Sequence, residues 1–239
     1  MKTSHSDLSL FLRKDIKNNI ACIGFFLNYP VVDYYIKNDS AIIFGKSDHL
    51  WAHISSSSTN DLAKLLEEHH NRTNYYFSVE DWMVPLIQKH GKAEWIMTTN
   101  RYILNENSEI DSPTEKITSL DISHTNYIYE NSEYQKYTSP EYIKDRLTKD
   151  ISAGIWLDNK LVAWGFTHDD GAIGFLHVLS NFRKKGYAID IIKYLIIERR
   201  KMGKAVFVNI VPDNIPAINL VGKLGFSFDR KTSWLKLKE

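Results

Sequence analysis

Apolar residues recur along this chain at the spacings of helices and strands in alternation. Leu8, Phe11, Leu12 and Ile16 fall on one helical face and predict an amphipathic helix over 7–20. An apolar run over 22–27 follows and stops at Asn28-Tyr29-Pro30. Segments 33–37 and 41–45 flank Asn38-Asp39, which signals a hairpin, and 50–55 makes a further short strand. Ser58, Thr59 or Asn60 can cap a helix over 61–70. A strand at 75–77, a helix over 79–90 closed by Gly91 and a long strand or hairpin arm over 93–104 complete the first half.

Residues 105–116, rich in Asn, Glu, Ser and Asp and holding Pro113, form a polar linker. Beyond it come a strand at 116–120, helices over 123–131 and 139–149, and hairpin arms 154–157 and 161–168 around Asp158-Asn159-Lys160. Phe175, Leu176, Val178 and Leu179 form a β-prone run, and Ala188, Ile191, Ile192 and Leu195 line one helix face. Gly203 and Lys204 end that helix, and 205–210 is a strand. Asn214 caps a short helix with Pro216 in its first turn; Gly225 closes it and Phe226 opens a last strand. Strands, helix, strand, helix, strand thus occur twice. The expected fold is mixed α/β in two tandem domains, 1–112 and 113–239, each a mostly antiparallel sheet flanked by helices.

Composition narrows the class. The 239 residues are 43% hydrophobic and 13% aromatic, ample for packed cores. Thirty basic residues balance 29 acidic ones for a net charge of +1, so no global field favours nucleic acid or an anionic membrane. The single cysteine, Cys22, allows no internal disulfide, which suits a reducing cytoplasm. Runs such as 20–27 are too short to span a bilayer, and the charged N-terminus forms no signal-peptide core. A cytoplasmic protein is expected.

The chemistry concentrates between Gly174 and Ile197. A buried strand runs through Arg183-Lys184-Lys185-Gly186-Tyr187-Ala188 into a helix. Unpaired N–H groups at such a helix start converge with the positive end of the dipole on an anion. Gly186 lets the backbone approach it, and Arg183, Lys184 and Lys185 add charge. This stretch resembles the pyrophosphate loop of the GNAT superfamily of N-acyltransferases, Arg/Gln-x-x-Gly-x-Gly/Ala, as Arg183-x-x-Gly186-x-Ala188 preceded by Val178-x-x-x-x-Arg183. Asn214-Ile215-Pro216-Ala217-Ile218-Asn219-Leu220-Val221-Gly222-Lys223-Leu224-Gly225-Phe226 resembles the second GNAT motif. Residues 120–124, 142–144 and 162–164 are similar to the glycine N-acyltransferase-like branch, whose front half is degenerate; here the first half has no such loop.

The resemblance implies an N-acyltransferase using acetyl-CoA or another acyl-CoA, with a small amine or amino acid as acceptor and its cofactor site in the second half. It implies pyrophosphate on the N–H groups of Lys184, Lys185, Gly186, Tyr187, Ala188 and Ile189 beside Arg183. The pantetheine arm would pair with the backbone of Leu176, His177 and Val178, with an N–H near Val178 polarising the thioester, and Asn214 would hydrogen-bond the arm. The first half would serve as scaffold, acceptor-site wall or dimer surface. Two positions depart from the family: Val221 stands where a Tyr commonly protonates the leaving thiolate, and Ala172 where several members carry Glu. Asp170, expected on the strand face of Ala172, and His168 at the hairpin end are the substitute catalytic candidates, against an ordinary polar turn over 168–171. Two alternatives remain: a sensor that binds acyl-CoA without turnover, and a tandem-GNAT transferase using aminoacyl-tRNA, which should carry more positive charge. His49, His53, His69 and His70 lack a partner set for a metal. Arg199, Arg200, Lys201 and Lys204 read as a helix end favoured by the dipole. Tyr75, Tyr76, Tyr134 and Tyr137 could line an acceptor pocket, though burial in a core is the simpler reading.

Overall fold

Two compact units, 1–101 with 229–239 and 102–228, make up the computed structural model, which describes residues 5–132 and 135–238. The chain passes between them inside two long strands, so the residues after 228 belong to the first unit. The linker expected at 105–116 lies within the second. Mixed α/β structure with helix-flanked sheets is what the sequence pattern predicts.

In the first unit, α1 (His5–Arg13) and α2 (Ile20–Asn28) precede β1 (Val31–Lys37), β2 (Ser40–Lys46) and β3 (Leu50–Ser56). Then come α3 (Thr59–His69), β4 (Tyr75–Glu80), the single turn α4 (Val84–Ile87) and the first part of β5 (Ala93–Leu104). β1, β2 and β3 form an antiparallel meander, and β4 adds parallel to β3. β2 is buried on both faces because its alternate residues enter different cores. Ile42 and Phe44 pack with Leu62, Leu65 and Leu66 of α3; Ala41 and Ile43 pack with Leu8, Leu12 and Cys22. Ser58 caps α3 by accepting the Asp61 N–H.

Two expected helices are shorter than their periodicity suggests. The segment 7–20 breaks after Arg13, where the buried Asn19 side chain donates to the Leu12 carbonyl and Asp15 accepts the Asn18 N–H. These bonds turn the chain and leave Ile16 56% exposed instead of on the apolar face. The helix expected over 79–90 is instead the end of β4, a turn and α4. Pro85 sits in the first turn of α4, where its missing N–H costs nothing, whereas it would break the interior of a longer helix. Val79 and Glu80 pair with Ser233 and Thr232 of the last strand.

In the second unit, β6 (Ile117–Thr118), α5 (Thr125–Glu130) and α6 (Pro140–Lys149) lead to β7 (Ser152–Leu157), β8 (Lys160–Thr167) and β9 (Ile173–Val178). α7 (Tyr187–Lys201), β10 (Phe207–Ile210), α8 (Ile215–Lys223) and the start of β11 (Phe226–Leu237) follow. β6, β7, β8 and β9 form one antiparallel sheet. On one face Ala153, Ala163, Ile173, Val208 and Ile210 pack with Ile191, Leu195 and Ile196 of α7. On the other, Trp164 and Phe166 pack with Ile128, Ile143 and Leu147 of α5 and α6. Among the described residues no helix is long and apolar enough to cross a membrane.

His53 gives the first unit a pH dependence. Its ring lies buried among Phe25, Phe26 and Phe77, at centroid distances of 4.3, 5.0 and 4.6 Å, with Nε2 unpartnered. Burial pushes its pKa down from 6.5 to about 3. Between those values the unfolded chain takes up a proton that the folded chain refuses. The stability from neutral His53 is therefore complete above the unfolded value and is lost as pH falls toward the folded one, at up to about 1.4 kcal/mol per pH unit. Urea midpoints measured at pH 7 and pH 5 should fall less on acidification in His53→Phe than in wild type. An unchanged fall would assign the acid sensitivity to another group.

Candidate functional site

The candidate site is built on β9, the loop after it and the start of α7. Among the described residues β9 pairs with β8 alone. Across that ladder Trp164 faces His177 and Phe166 faces Gly174, so Phe175 and Leu176 together oppose Gly165. This is a bulge, and Phe175 holds φ +47° to make it. Two close approaches fix it in place. A Cβ on Gly165 would come within 2.7 Å of Ile191 of α7, and one on Gly174 would strike the His168 ring. β10 runs beside β9, yet the two strands share no ladder. β10 pairs instead with β5, whose Leu104 N–H donates to the Val206 carbonyl just before β10.

Beyond Val178 the chain makes a turn over Ser180–Phe182, and the Arg183 Nε folds back to donate to the Val178 carbonyl at 3.0 Å. Lys184 at φ +64° and Gly186 at φ +90° then deliver the backbone into α7. Glycine is favoured in the left-handed region, and a Cβ at Gly186 would point into open space. With Gly at the N-cap, no side chain satisfies the first turn of this 15-residue helix. Its N–H groups and dipole face outward among Arg183, Lys184 and Lys185, all exposed. The N–H groups of Ile189 and Asp190 already donate to the Gly186 carbonyl, at 2.9 and 3.2 Å. Tyr187 is buried beneath, and Asp190 binds Thr114 Oγ1 and the Glu115 N–H at 2.6 and 3.1 Å.

The hairpin between β8 and β9 carries the two catalytic candidates. His168 is half-buried; its imidazole lies on Gly174 and 4.8 Å from Phe175. Burial, with Arg146 nearby, lowers its pKa to about 4, so it is neutral at pH 7. Asp170 is fully buried in the turn and not on the strand face expected for it. Gly171 at φ +80° closes that turn, donating to the His168 carbonyl. One Asp170 oxygen accepts the Ala172 N–H at 2.9 Å and the other accepts Asn209 Nδ2 of β10 at 3.1 Å. Asp169 accepts from the Tyr142 hydroxyl at 3.2 Å.

Buried cations support this acidic turn. Arg146 Nε donates to the Thr167 carbonyl, and Arg199 Nε to the Ala205 carbonyl. Asp150 joins them, 3.6 Å from both guanidinium groups and 3.0 Å from Lys204 Nζ. Burial pushes Asp150 up, but Lys204 and Arg199 outweigh it and hold the carboxyl below its usual range. The expected basic helix end is present, and its buried Arg199, with the half-buried Lys204 just beyond it, also pairs with Asp150. Arg200 ties the linker by donating to the carbonyls of Ser108 and Asn105.

The structure places Leu176, His177 and Val178 on β9, Arg183, Lys184, Lys185 and Gly186 on the loop that follows, and Tyr187, Ala188 and Ile189 in the first turn of α7. His177 stacks on Trp164 at 4.6 Å. Asn214 caps α8 by accepting the Ala217 N–H at 3.1 Å. Ala172 and Val221 are both buried. Tyr76 is buried, Tyr75 stacks on His49 at 4.1 Å, Tyr137 is exposed, and Tyr134 lies outside the described residues. Sequence reasoning missed Gly174, Phe175 and Asn209; a lone Gly inside a β-prone run was the available signal for the bulge.

Comparison with known proteins is consistent with this geometry. Residues 152–235 match the family model of FR47-like proteins. No curated protein matches the sequence. A crystallised Drosophila protein superposes with a TM-score of 0.81 at 15% identity, covering 99% of this chain and 97% of its own. A GCN5-related N-acetyltransferase-like protein from Streptococcus suis gives 0.56 at 15% identity, covering 96% and 99%. A GCN5-related N-acetyltransferase from Kribbella flavida gives 0.58 at 11% identity, covering 94% and 96%. The fold of this chain is the mixed α/β fold of GNAT-family acetyltransferases.

Proposed function

We propose that this protein is an acyl-CoA-dependent N-acyltransferase, most simply an N-acetyltransferase, acting on a small amine or amino acid. The reading rests on one observation: a bulged strand with a free edge leads directly into a glycine-capped helix start ringed by three cations. Resemblance to the glycine N-acyltransferase-like branch makes amino acids the first acceptors to test. The proposal assigns the transfer site to the second domain, within 113–239, and a scaffold role to 1–112, which carries no equivalent loop.

Acetyl-CoA, when bound, supplies a thioester carbonyl open to attack by an amine. The N–H groups from Lys184 to Ala188 would hold its pyrophosphate, with Arg183 and the lysines screening the charge. The backbone of Leu176, His177 and Val178, on the edge of β9 away from β8, would pair with the amide-containing arm as with an added strand. Backbone N–H groups released by the bulge at Phe175 and Leu176 would stabilise negative charge growing on the carbonyl oxygen. His168, uncharged at neutral pH, is the proposed acceptor of the amine proton; Asp170 is the second candidate and already receives two N–H donors. A thiol pKa near 8.5 makes the thiolate a fair leaving group, so Val221 in place of a proton donor does not forbid the reaction. The same Val221, buried in the core, favours binding without transfer as a second reading.

Acetyl-CoA should raise the melting temperature, since a ligand of the native state must stabilise it, and should release thiol with at least one member of a panel of amines and amino acids. Stabilisation without thiol release across the panel would favour the sensor reading. Gly186→Glu should abolish the stabilisation by placing a carboxylate at the anion position; an unchanged shift would refute the loop assignment. His168→Gln should lower kcat about 10²-fold or more with acetyl-CoA affinity intact. An unchanged kcat would leave His168 as a packing residue.

A further inference from the structure

Asn209 Nδ2 of β10 donates to Asp170 at 3.1 Å and so joins β10 to the turn between β8 and β9, while β9 and β10 share no ladder. A carboxylate can only accept hydrogen bonds, so the Asn209 amide must turn its NH2 toward Asp170 and its carbonyl away. That carbonyl, Oδ1, is shielded from solvent and has no hydrogen-bond partner. An acceptor left so costs stability unless a donor reaches it. Val208 and Ile210 enter the core under α7, so Asn209, between them on β10, projects from the opposite face. A donor arriving between β9 and β10 on that face would satisfy it.

Resting on the acyl-CoA reading above, we propose that Asn209 is a binding residue for the pantetheine arm, its Oδ1 accepting one of the arm's amide N–H groups, and that Asp170 is the positioning residue that sets the polarity of the Asn209 amide. Asp170 thus serves the site by orientation. The Ala172 N–H on its other oxygen fixes it to the start of β9, so the polarity of the group on β10 is set from β9.

Substitutions that keep shape and reverse polarity test the idea. In Asp170→Asn the new amide still accepts the Ala172 N–H and presents NH2 to residue 209. Asn209 must then turn its carbonyl toward residue 170 and its NH2 toward the arm. The double variant Asp170→Asn/Asn209→Asp restores an acceptor facing the arm. Calorimetric affinities for acetyl-CoA and for ADP, which has the pyrophosphate and no arm, provide the readout. Asp170→Asn should weaken acetyl-CoA about tenfold, the scale of one hydrogen bond, with ADP affinity unchanged, and the double variant should recover most of the loss. Asn209→Ala, which deletes the acceptor, should shift the same ratio and serves if Asp170→Asn does not fold. An unchanged acetyl-CoA to ADP ratio in these variants, or no recovery in the double variant, would make the pair a structural strut and overturn the proposal. Wild-type protein that binds neither ligand would refute the acyl-CoA reading itself.

Discussion

The free edge of β9 is the constraint on which the second unit is organised. A strand edge exposes N–H and C=O groups that a protein must pair, cover or use. Here β10 has a ladder with β5 and runs beside β9 without one, and the bulge at Phe175 interrupts the register of the β8 ladder. The geometry is costly to hold: Phe175 carries a positive φ, and Gly165 and Gly174 give up their side chains so that Ile191 and His168 can press against the backbone. Such strain persists only where the surroundings over-determine it. An extended ligand with its own amide groups would pair the edge, which is why the proposed cofactor and the strand geometry belong together.

The surroundings that hold this edge are polar as well as apolar. α7 packs its Ile191, Leu195 and Ile196 against the sheet, while its last turn sends Arg199 into a buried network with Asp150, Lys204 and Arg146. Removing one member of such a network would leave an uncompensated buried charge, at a cost of about 3–5 kcal/mol. The turn over 168–171 rests on that network through the arginine at 199, which lies against Gly171. Helix, turn and strand start are therefore packed together, with the loop over 183–186 at the other end of the helix.

Features coded by local residues could be read from sequence. Gly186 before an apolar helical face, Asn214 before Pro216, Ser58 at a helix start and Asn38-Asp39 between alternating runs each carry their own conformational preference. Features created by distant packing could not. Nothing near Phe175 calls for a left-handed residue; it sits in a bulge beside two glycines that His168 and Ile191 crowd. Arg199 reads from sequence as part of a basic helix end, which gives no sign of the buried Asp150 beside it. Ile16 fits a helical period that the buried Asn19 side chain interrupts. Asn209 is one polar residue in an apolar strand, and nothing in the sequence places it against Asp170.

Hydrogen exchange on the protein with and without saturating acetyl-CoA tests the open-edge account most directly, because it reads the backbone groups themselves. Amides at 175–178 and 184–188 should slow by about tenfold or more on binding, while those at 42–44 in the first unit stay unchanged. Binding without slowing at 175–178, or slowing confined to other segments, would contradict it.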